Sequence, residues 1–316
     1  MTNPKNDSAV IVDGLTRTFG KFVAVDNVSF SVKRGEVFGF LGPNGAGKST
    51  TIRMLCGLLE PTSGTAIVGG YDVGKDPDAV KTTIGYMSQR FSLYEDLTVE
   101  QNINFYGGIY GLAGNRLKER KEWATEMAGL RGKENHLTHS LSGGWKQRLA
   151  LGCAILHEPP ILFLDEPTGG VDPVSRRNFW DLIYTLSNQG VTVFVTTHYM
   201  DEAEHCNTIG LIYAGKLIAI GSPTELKHQL DQFAIFEIAC AAPVEAMEVL
   251  QKEPWIRETS IFGSNFHVST ANEPKAREQL LETLGNRNIE VHKVDQIVPS
   301  LEDVFIHLIS EVDRKQ

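Results

Sequence analysis

The strongest constraint on the fold of this chain is a glycine-rich segment that directly follows an apolar run. Residues 37–41 (VFGFL) have the composition of a buried strand, and residues 42–50 read GPNGAGKST. This is the G-x-x-x-x-G-K-[ST] pattern, in which the backbone N–H groups of a loop that leads into a helix surround phosphate groups. The pattern predicts a strand, a phosphate-binding loop and a helix from Lys48 to about Leu58.

The residue types within this loop have separate expected roles. Lys48 is expected to reach the β- and γ-phosphates of a nucleotide, and the Ser49 hydroxyl is expected to bind Mg²⁺. The other residues expected to surround the phosphates are Asn44, Gly45, Ala46, Gly47 and Thr50.

Two carboxylates stand at the end of a second apolar run. Residues 161–164 (ILFL) are followed by Asp165 and Glu166. In open α/β sheets ligands bind beyond the carboxyl ends of the strands, so these carboxylates are expected beside the phosphate loop. Asp165 is expected to hold Mg²⁺, directly or through water. His198 follows another predicted strand, at residues 191–197, and we expect it at the same edge of the sheet.

A third segment, residues 141–144 (LSGG), lies between the phosphate loop and the acidic strand end. With these three motifs in this order, the chain resembles the ATP-binding cassette (ABC) ATPases, the nucleotide-binding subunits of ABC transporters. A chance match to the loop pattern alone is expected in roughly one random chain of this length per hundred. The resemblance covers about residues 10–225.

The resemblance implies further site residues. Glu166 matches the catalytic carboxylate that orients or deprotonates the attacking water. Gln89 matches the glutamine that senses Mg²⁺ and water, and His198 the histidine that contacts the γ-phosphate. Phe19 aligns with the aromatic residue that stacks on adenine, and Val25 lies close behind it.

The resemblance also implies a nucleotide held between two copies of the chain. Ser142, Gly143 and Gly144 are expected to grip the γ-phosphate bound to a second subunit, and Asp172 to cross to the partner's site. ATP then joins a head-to-tail dimer, and hydrolysis releases it.

Two residues depart from the family's usual pattern. Trp145 stands where the family usually has glutamine, and Gly169 stands where it usually has serine. We expect the first to be tolerated, because Lys-Gln-Arg continues the pattern. The second removes a possible side-chain contact with the partner.

The periodicity of the chain changes along its length. Strand-like runs at residues 10–30 and helical spacing over residues 92–141 predict an initial group of strands and an inserted helical subdomain within an α/β pattern. The resemblance implies the rest of the fold class: a P-loop NTPase of the ABC cassette type over residues 8–228, with a RecA-like core, an antiparallel β subdomain and the helical subdomain. Residues 229–316 predict a small C-terminal α+β domain, which resembles a ferredoxin-like βαββαβ unit with a final helix.

Composition limits the partners. Apolar residues make up 41% and charged residues 22%, as in ordinary globular proteins, and the net charge of −9 without a basic block argues against a nucleic-acid surface. The polar start and short apolar runs predict a cytoplasmic chain, and the resemblance implies a peripheral position on the cytoplasmic face of the inner membrane. Four cysteines without C-x-x-C spacing are expected to be reduced and packed.

The extension and its SLEDVF segment at residues 300–305 look like the ABC-2 type export subfamily of drug-resistance and sodium-efflux ATPases. They imply an ATP-hydrolysing subunit that dimerises and powers a separate membrane permease, exporting a drug, an ion or a lipid-like substrate. Import stays open. Aromatic residues after Gln89 would dock the permease or pack the helical subdomain: Phe91, Tyr94, Phe105 and Tyr106.

One alternative is a soluble mechanochemical ABC ATPase that acts on ribosomes or DNA. Such relatives carry two cassettes or a long coiled coil within the cassette, and we expect neither here. An inactive homologue is disfavoured because Lys48, Asp165, Glu166 and His198 are all present.

Overall fold

The computed structural model describes residues 7–90, 92–271 and 274–314. The chain forms two compact units, Met1–Ile220 and Gly221–Gln316. The predicted domain boundary, between residues 228 and 229, falls one short helix after this division.

The first unit alternates strands and helices after an initial hairpin. Its elements in chain order are β1 (Ser8–Phe19), β2 (Phe22–Lys33), β3 (Val37–Leu41), α1 (Lys48–Leu55), β4 (Ser63–Val68), β5 (Tyr71–Asp72), α2 (Pro77–Thr83), β6 (Ile84–Met87), α3 (Val99–Ile109), α4 (Gly114–Met127), α5 (Gly143–Ala154), β7 (Ile161–Asp165), α6 (Pro173–Asn188), β8 (Thr192–Thr197), α7 (Met200–Ala203), β9 (Thr208–Tyr213) and β10 (Lys216–Gly221, whose last residue is assigned to the second unit).

Two sheets organise this unit. A four-stranded antiparallel sheet has the order β2-β1-β4-β5, and a six-stranded sheet has the order β10-β9-β3-β8-β7-β6. Strands β9, β3, β8, β7 and β6 are parallel neighbours. The central strands β3, β7 and β8 are buried along their whole length, which explains their continuous apolar sequences. The predicted α/β core and antiparallel β subdomain are confirmed.

Aromatic side chains join the two sheets. The ring of Phe30 on β2 stacks on Phe38 of β3 with centroids 5.3 Å apart, and Phe38 stacks on Phe194 of β8 at 5.2 Å. Such pairs each add about 0.5–1.5 kcal/mol beyond the burial of their area. This packing holds β3, the strand that leads into the phosphate loop, in the centre of the core.

The helix after the loop is shorter than the sequence predicted. It ends at Leu55, with Cys56 as its C-cap, instead of near Leu58. Gly57 follows with a φ of +65°, in the left-handed region that stops a helix without steric cost in glycine.

The helical subdomain is built from α3, α4 and α5. Thr98 and Gln101 form a reciprocal capping box at the start of α3. Trp145 on α5 packs against the apolar core of these helices, and its ring lies under the ammonium of Lys133, 4.5 Å from the centroid, and the guanidinium of Arg148, at 5.4 Å. The tryptophan therefore serves packing in this subdomain.

The second unit has a sheet and helices of its own, and this sheet is the third in the chain as the structure describes it. Its elements are α8 (Pro223–His228), β11 (Phe233–Cys240), α9 (Pro243–Leu250), β12 (Ile256–Phe262), β13 (Asn265–Ala271), α10 (Ala276–Gly285), β14 (Val291–Ile297) and α11 (Leu301–Asp313). The strand order β12-β13-β11-β14, antiparallel throughout, is that of a ferredoxin-like βαββαβ unit.

The final helix α11 meets the sheet through a polar contact. Phe266 of β13 packs with α9 and α10, so the adjacent His267 points to the opposite face. There its Nδ1 donates to Oδ1 of Asp303 over 2.8 Å, while the other carboxylate oxygen accepts from the backbone and hydroxyl of Ser300. Burial disfavours the charge of Asp303, but these hydrogen bonds outweigh it and lower its pKa.

We expect Asp303→Asn to destabilise α11. Asparagine has a single acceptor oxygen, whereas His267 and Ser300 donate to separate oxygens of Asp303. The free energy of opening this helix should fall by about 1–3 kcal/mol near neutral pH. A carboxyl group whose pKa is lower in the folded than in the unfolded state stabilises the fold at pH values above its unfolded pKa. This stabilisation is lost as the pH falls, so the difference in stability between variant and parent should shrink below about pH 4. Hydrogen exchange of the α11 amides, read by mass spectrometry at matched pH, measures both effects.

Glu302→Gln is the matched control, since Glu302 is exposed in the same helical turn. Equal loss of protection in the two variants would show that helix-dipole charge, not the contact with His267, holds α11.

Within the part of the chain that the structure describes, no helix is both long and apolar enough to cross a membrane.

Candidate nucleotide site

The phosphate loop joins β3 to α1 and is shaped by close backbone approaches. A Cβ on Gly47 would lie 2.5 Å from the carbonyl oxygen of Ala24, and φ at Gly47 is +111°. A Cβ on Gly42 would lie 2.2 Å from the carbonyl oxygen of Ile212. Only glycine fits at these two positions. The loop therefore packs closely against the backbones of β2 and β9, and it continues directly into helix α1.

The Lys48 side chain is buried over this loop, with 4% of its surface exposed. Its ammonium donates to the carbonyl oxygens of Gly42, over 2.8 Å, and Pro43, over 3.2 Å. It also lies 3.1 Å from Oε1 of Glu166. The lysine charge is thus held at the mouth of the loop, where anionic phosphate oxygens would meet it.

Three residues converge on Glu166 from separate elements. Its Oε1 pairs with Lys48, and its Oε2 accepts from the Nε2 of Gln89 over 3.0 Å. Nδ1 of His198 lies 3.4 Å from the same Oε2, is buried and makes no hydrogen bond to any described residue. A carboxylate between a cation, an amide and an imidazole can accept a proton or orient a water.

The backbone at Glu166 is held in an unusual conformation. Its φ is +47°, and its N–H lies 2.9 Å from the hydroxyl of Thr196 and 3.2 Å from the carbonyl oxygen of the same residue. Residues other than glycine seldom occupy this region, and such strain concentrates at functional sites. The bonds to β8 turn Glu166 back over the loop.

Oxygen groups suited to a hard cation lie beside the loop. The Ser49 hydroxyl donates to Oδ1 of Asp165 over 3.0 Å, and the Thr196 hydroxyl donates to the same oxygen over 2.8 Å. Burial raises the pKa of Asp165, while these two hydroxyls act against that rise. A buried carboxylate next to a hydroxyl is a fitting oxygen donor set for Mg²⁺, whose charge would offset the cost of burying the anion.

An open cleft of about 390 Å³ extends over the loop. It is lined by Phe22, Ala24, Asn44, Gly45, Gly47, Lys48, Ser49, Thr50, Gln89 and Glu166. Eight predicted loop and catalytic residues are therefore brought to one place. Phe22 and Ala24 were not predicted from the sequence.

Three predicted nucleotide-binding residues lie outside that lining. Val25 is fully buried in the core, beneath Gly47, and Ala46 is buried within the loop. Phe19 is 47% exposed at the end of β1. The two-residue turn between Phe19 and Phe22 was the signal for the second aromatic, because it pairs them across the hairpin.

The four residues predicted to act on a second subunit lie at the starts of α5 and α6, where Ser142, Gly143 and Asp172 form an exposed surface and Gly144 is buried. Ser142 is the exposed N-cap of α5, and its side chain makes no capping bond. A Cβ on Gly144 would lie 2.5 Å from the hydroxyl of Ser175, so the start of α5 packs against the first turn of α6. Asp172 caps α6 by accepting from the N–H of Ser175 over 2.9 Å, and the bonds from Ser175 and Val174 lower its pKa.

A buried contact that the sequence did not predict connects this surface with Glu166. Nε2 of Gln147 on α5 donates to the carbonyl oxygen of Pro167 over 2.8 Å. Gly169, which stands where the family usually has serine, is exposed. A Cβ at this position would lie 3.4 Å from the carbonyl oxygen of Glu166.

This fold and this constellation define a P-loop nucleoside-triphosphate-binding domain. Two family models match the chain: "ABC transporter" over residues 25–169 and "ATP-binding protein DrrA1-3-like, C-terminal domain" over residues 221–309. The linearmycin resistance ATP-binding protein LnrL of Bacillus subtilis is 36% identical over 300 residues, which cover 94% of this chain and 96% of that protein.

A second relative, the probable multidrug ABC transporter ATP-binding protein YbhF of Escherichia coli, is 57% identical over 215 residues. The match covers 68% of this chain and 37% of YbhF. Among solved structures, a dimeric post-hydrolysis state of the ATP-binding cassette MJ0796 bound to ADP and Pi has a TM-score of 0.61 and 28% identity, over 67% of this chain and 98% of that one. The chain belongs to the ATP-binding subunits of ABC transporters, a family of ATPases.

Proposed function

We propose that this chain is the ATP-hydrolysing subunit of an ABC exporter. The proposal rests on one observation. The side chains of Lys48, Gln89 and His198 all lie close to the carboxylate of Glu166, beside the phosphate loop. These groups can bind phosphate, position water and accept a proton within a few ångströms of one another.

The residues of the cleft have separate roles in binding and hydrolysing MgATP. Lys48 and the loop N–H groups bind the phosphates, and Phe19 stacks on adenine. Ser49 and Asp165 would hold Mg²⁺, with Gln89 as a further ligand, and the bound ion would neutralise charge on the phosphates. Glu166 takes the proton of the attacking water, and His198, whose free Nδ1 points toward that carboxylate, contacts the γ-phosphate.

A second copy completes the site. Ser142, Gly143 and Asp172 are exposed on a surface apart from the residues that line the cleft, with Gly144 buried next to them and the Ser142 hydroxyl making no capping bond at the start of α5. In a head-to-tail dimer this surface faces the γ-phosphate of the partner, so ATP holds the dimer together and hydrolysis releases it. The dimeric cassette of similar fold bound to ADP and Pi supports this arrangement.

The dimer acts on a membrane permease and lies on the cytoplasmic face of the membrane. Relatives named for linearmycin resistance and multidrug transport support export of a drug-like, ionic or lipid-like substrate. The permease docks on the segment after Gln89, where Tyr94 and Phe105 are partly exposed with ring centroids 4.6 Å apart. Tyr106 packs into the helical core, and Phe91 lies outside the described residues.

Affinity purification of the tagged chain from membranes, with and without ATP, tests this function. We expect a polytopic permease to co-purify and to increase ATP hydrolysis when both are placed in lipid vesicles. The Lys48→Ala variant is the control, since it should keep the permease but lose the increase in hydrolysis. Recovery of ribosomes or DNA, or of no permease, would contradict the exporter and favour the soluble ATPase.

A further inference from the structure

The tip of the first hairpin carries two exposed aromatic side chains. Phe19 and Phe22 are paired across β1 and β2, on either side of the turn Gly20–Lys21. Their exposed fractions are 47% and 64%. Directly opposite residues of an antiparallel pair have their Cβ atoms about 5 Å apart on one face of the sheet, so the two aromatic side chains start from neighbouring positions at the tip of the hairpin.

Strand β2 holds this surface at a fixed place beside the phosphate loop. The carbonyl oxygen of Ala24 abuts Gly47, where a Cβ would approach to 2.5 Å. The N–H of Asp26 donates to the carbonyl oxygen of Gly215 over 2.8 Å, and the N–H of Gly215 donates to that of Ala46 over 3.0 Å. The strand and the loop are therefore joined through backbone contacts.

The side chain of Phe22 points into the nucleotide cleft. Alternate residues of a strand share a face, and both Phe22 and Ala24 line the cleft together with Lys48 and Glu166. Phe22 is the one aromatic side chain among the residues that line the cleft within the described part of the chain.

The ring of Phe19 has a different environment. The guanidinium carbon of Arg17 lies 4.7 Å from its centroid, and Nη1 of the same arginine donates to the carbonyl oxygen of Glu60 over 2.6 Å. A fixed cation thus covers one face of Phe19, which leaves the other face for a base. Phe22, across the turn from Phe19, supplies a further apolar ring that lines the cleft.

We propose that Phe22 is a base-binding residue of the nucleotide site and that its ring, with that of Phe19, contacts the purine of the bound nucleotide. The inference rests on the proposed nucleotide function of the cleft. An aromatic ring binds a base through its π face without reading hydrogen-bond donors, so Phe22 adds affinity for adenine and guanine nucleotides alike.

Isothermal titration with Mg²⁺ and either ADP or inorganic pyrophosphate tests the inference, because the two ligands share a diphosphate and only ADP has a base. We expect Phe22→Ala to weaken ADP binding roughly five- to a hundredfold, as loss of one base stack does, and to leave pyrophosphate binding unchanged. Phe22→Trp should retain ADP affinity. Val23→Ala is the matched control, since Val23 is the exposed neighbour on β2 and does not line the cleft.

Two results would overturn the inference. Unchanged ADP affinity in Phe22→Ala would exclude contact with the base, and an equal loss for ADP and pyrophosphate would mean that Phe22 merely shapes the loop. Lys48→Ala separates these results from failure of the nucleotide site itself. If Lys48→Ala loses both ligands while Phe22→Ala loses neither, the site stands and the inference about Phe22 fails.

Discussion

Lys48→Ala should lose about two orders of magnitude in affinity for ATP, since hydrogen bonds to charged groups contribute about 1.5–3 kcal/mol each. The ammonium is buried and already fixed by the carbonyl oxygens of Gly42 and Pro43, so it meets phosphate oxygens without being ordered first. Alanine removes that positive charge and leaves the buried carboxylate of Glu166 without its cation, next to an incoming anion.

Equilibrium titration with ATP measures this loss, and circular dichroism checks that the variant is folded. Lys81→Ala is the matched control, because Lys81 pairs with Asp78 in an exposed contact on α2. Unchanged ATP affinity in Lys48→Ala would contradict the assignment of residues 42–50 as the phosphate-binding loop.

Glu166→Gln should bind ATP but lower the rate of hydrolysis by about two to four orders of magnitude, the usual effect of a general base. Glutamine has the same shape and can still accept from Lys48 through its amide oxygen, so the loop should keep its geometry. It cannot take a proton from water. Single-turnover hydrolysis of ATP at saturating concentration measures the chemical step.

The same variant should accumulate an ATP-bound dimer, because ATP joins the two copies and is no longer removed. Size-exclusion chromatography with ATP and with ADP distinguishes the dimer from the monomer. Adding Ser142→Ala to Glu166→Gln should abolish the dimer if the serine binds the partner's γ-phosphate. Robust hydrolysis in Glu166→Gln would overturn its assignment as the base, and a dimer that survives Ser142→Ala would contradict the head-to-tail contact through that serine.

The phosphate loop and the acidic strand end were predictable because their physics is local. A loop that binds phosphate through its own N–H groups is formed by consecutive residues, so its pattern can be recognised in the sequence. The continuous apolar runs of β3 and β7 likewise predict buried strands. The ferredoxin-like order of strands and helices in the second unit was also visible as alternating periodicity.

Other features depended on register and could not be read from residue types. Phe22 and Val25 lie three and six residues after Phe19 in the same segment, yet the pleat of β2 buries Val25 beneath Gly47 and turns Phe22 into the cleft. The contact between Gln147 and Pro167 depends likewise on how α5 packs against β6 and α6.

The sequence by itself determined the class of fold and the groups that bind phosphate, since each of those is specified by neighbouring residues along the chain. Only the tertiary structure decided which distant groups complete the site. The 2.9 Å hydrogen bond between Glu166 and Thr196 and the approach of Gln89 and His198 arise from the pairing of strands far apart in sequence, and the place of Phe22 arises from the contact of β2 with the phosphate loop. Strand pairing and packing over such separations are set by the burial of whole faces, which no local pattern specifies.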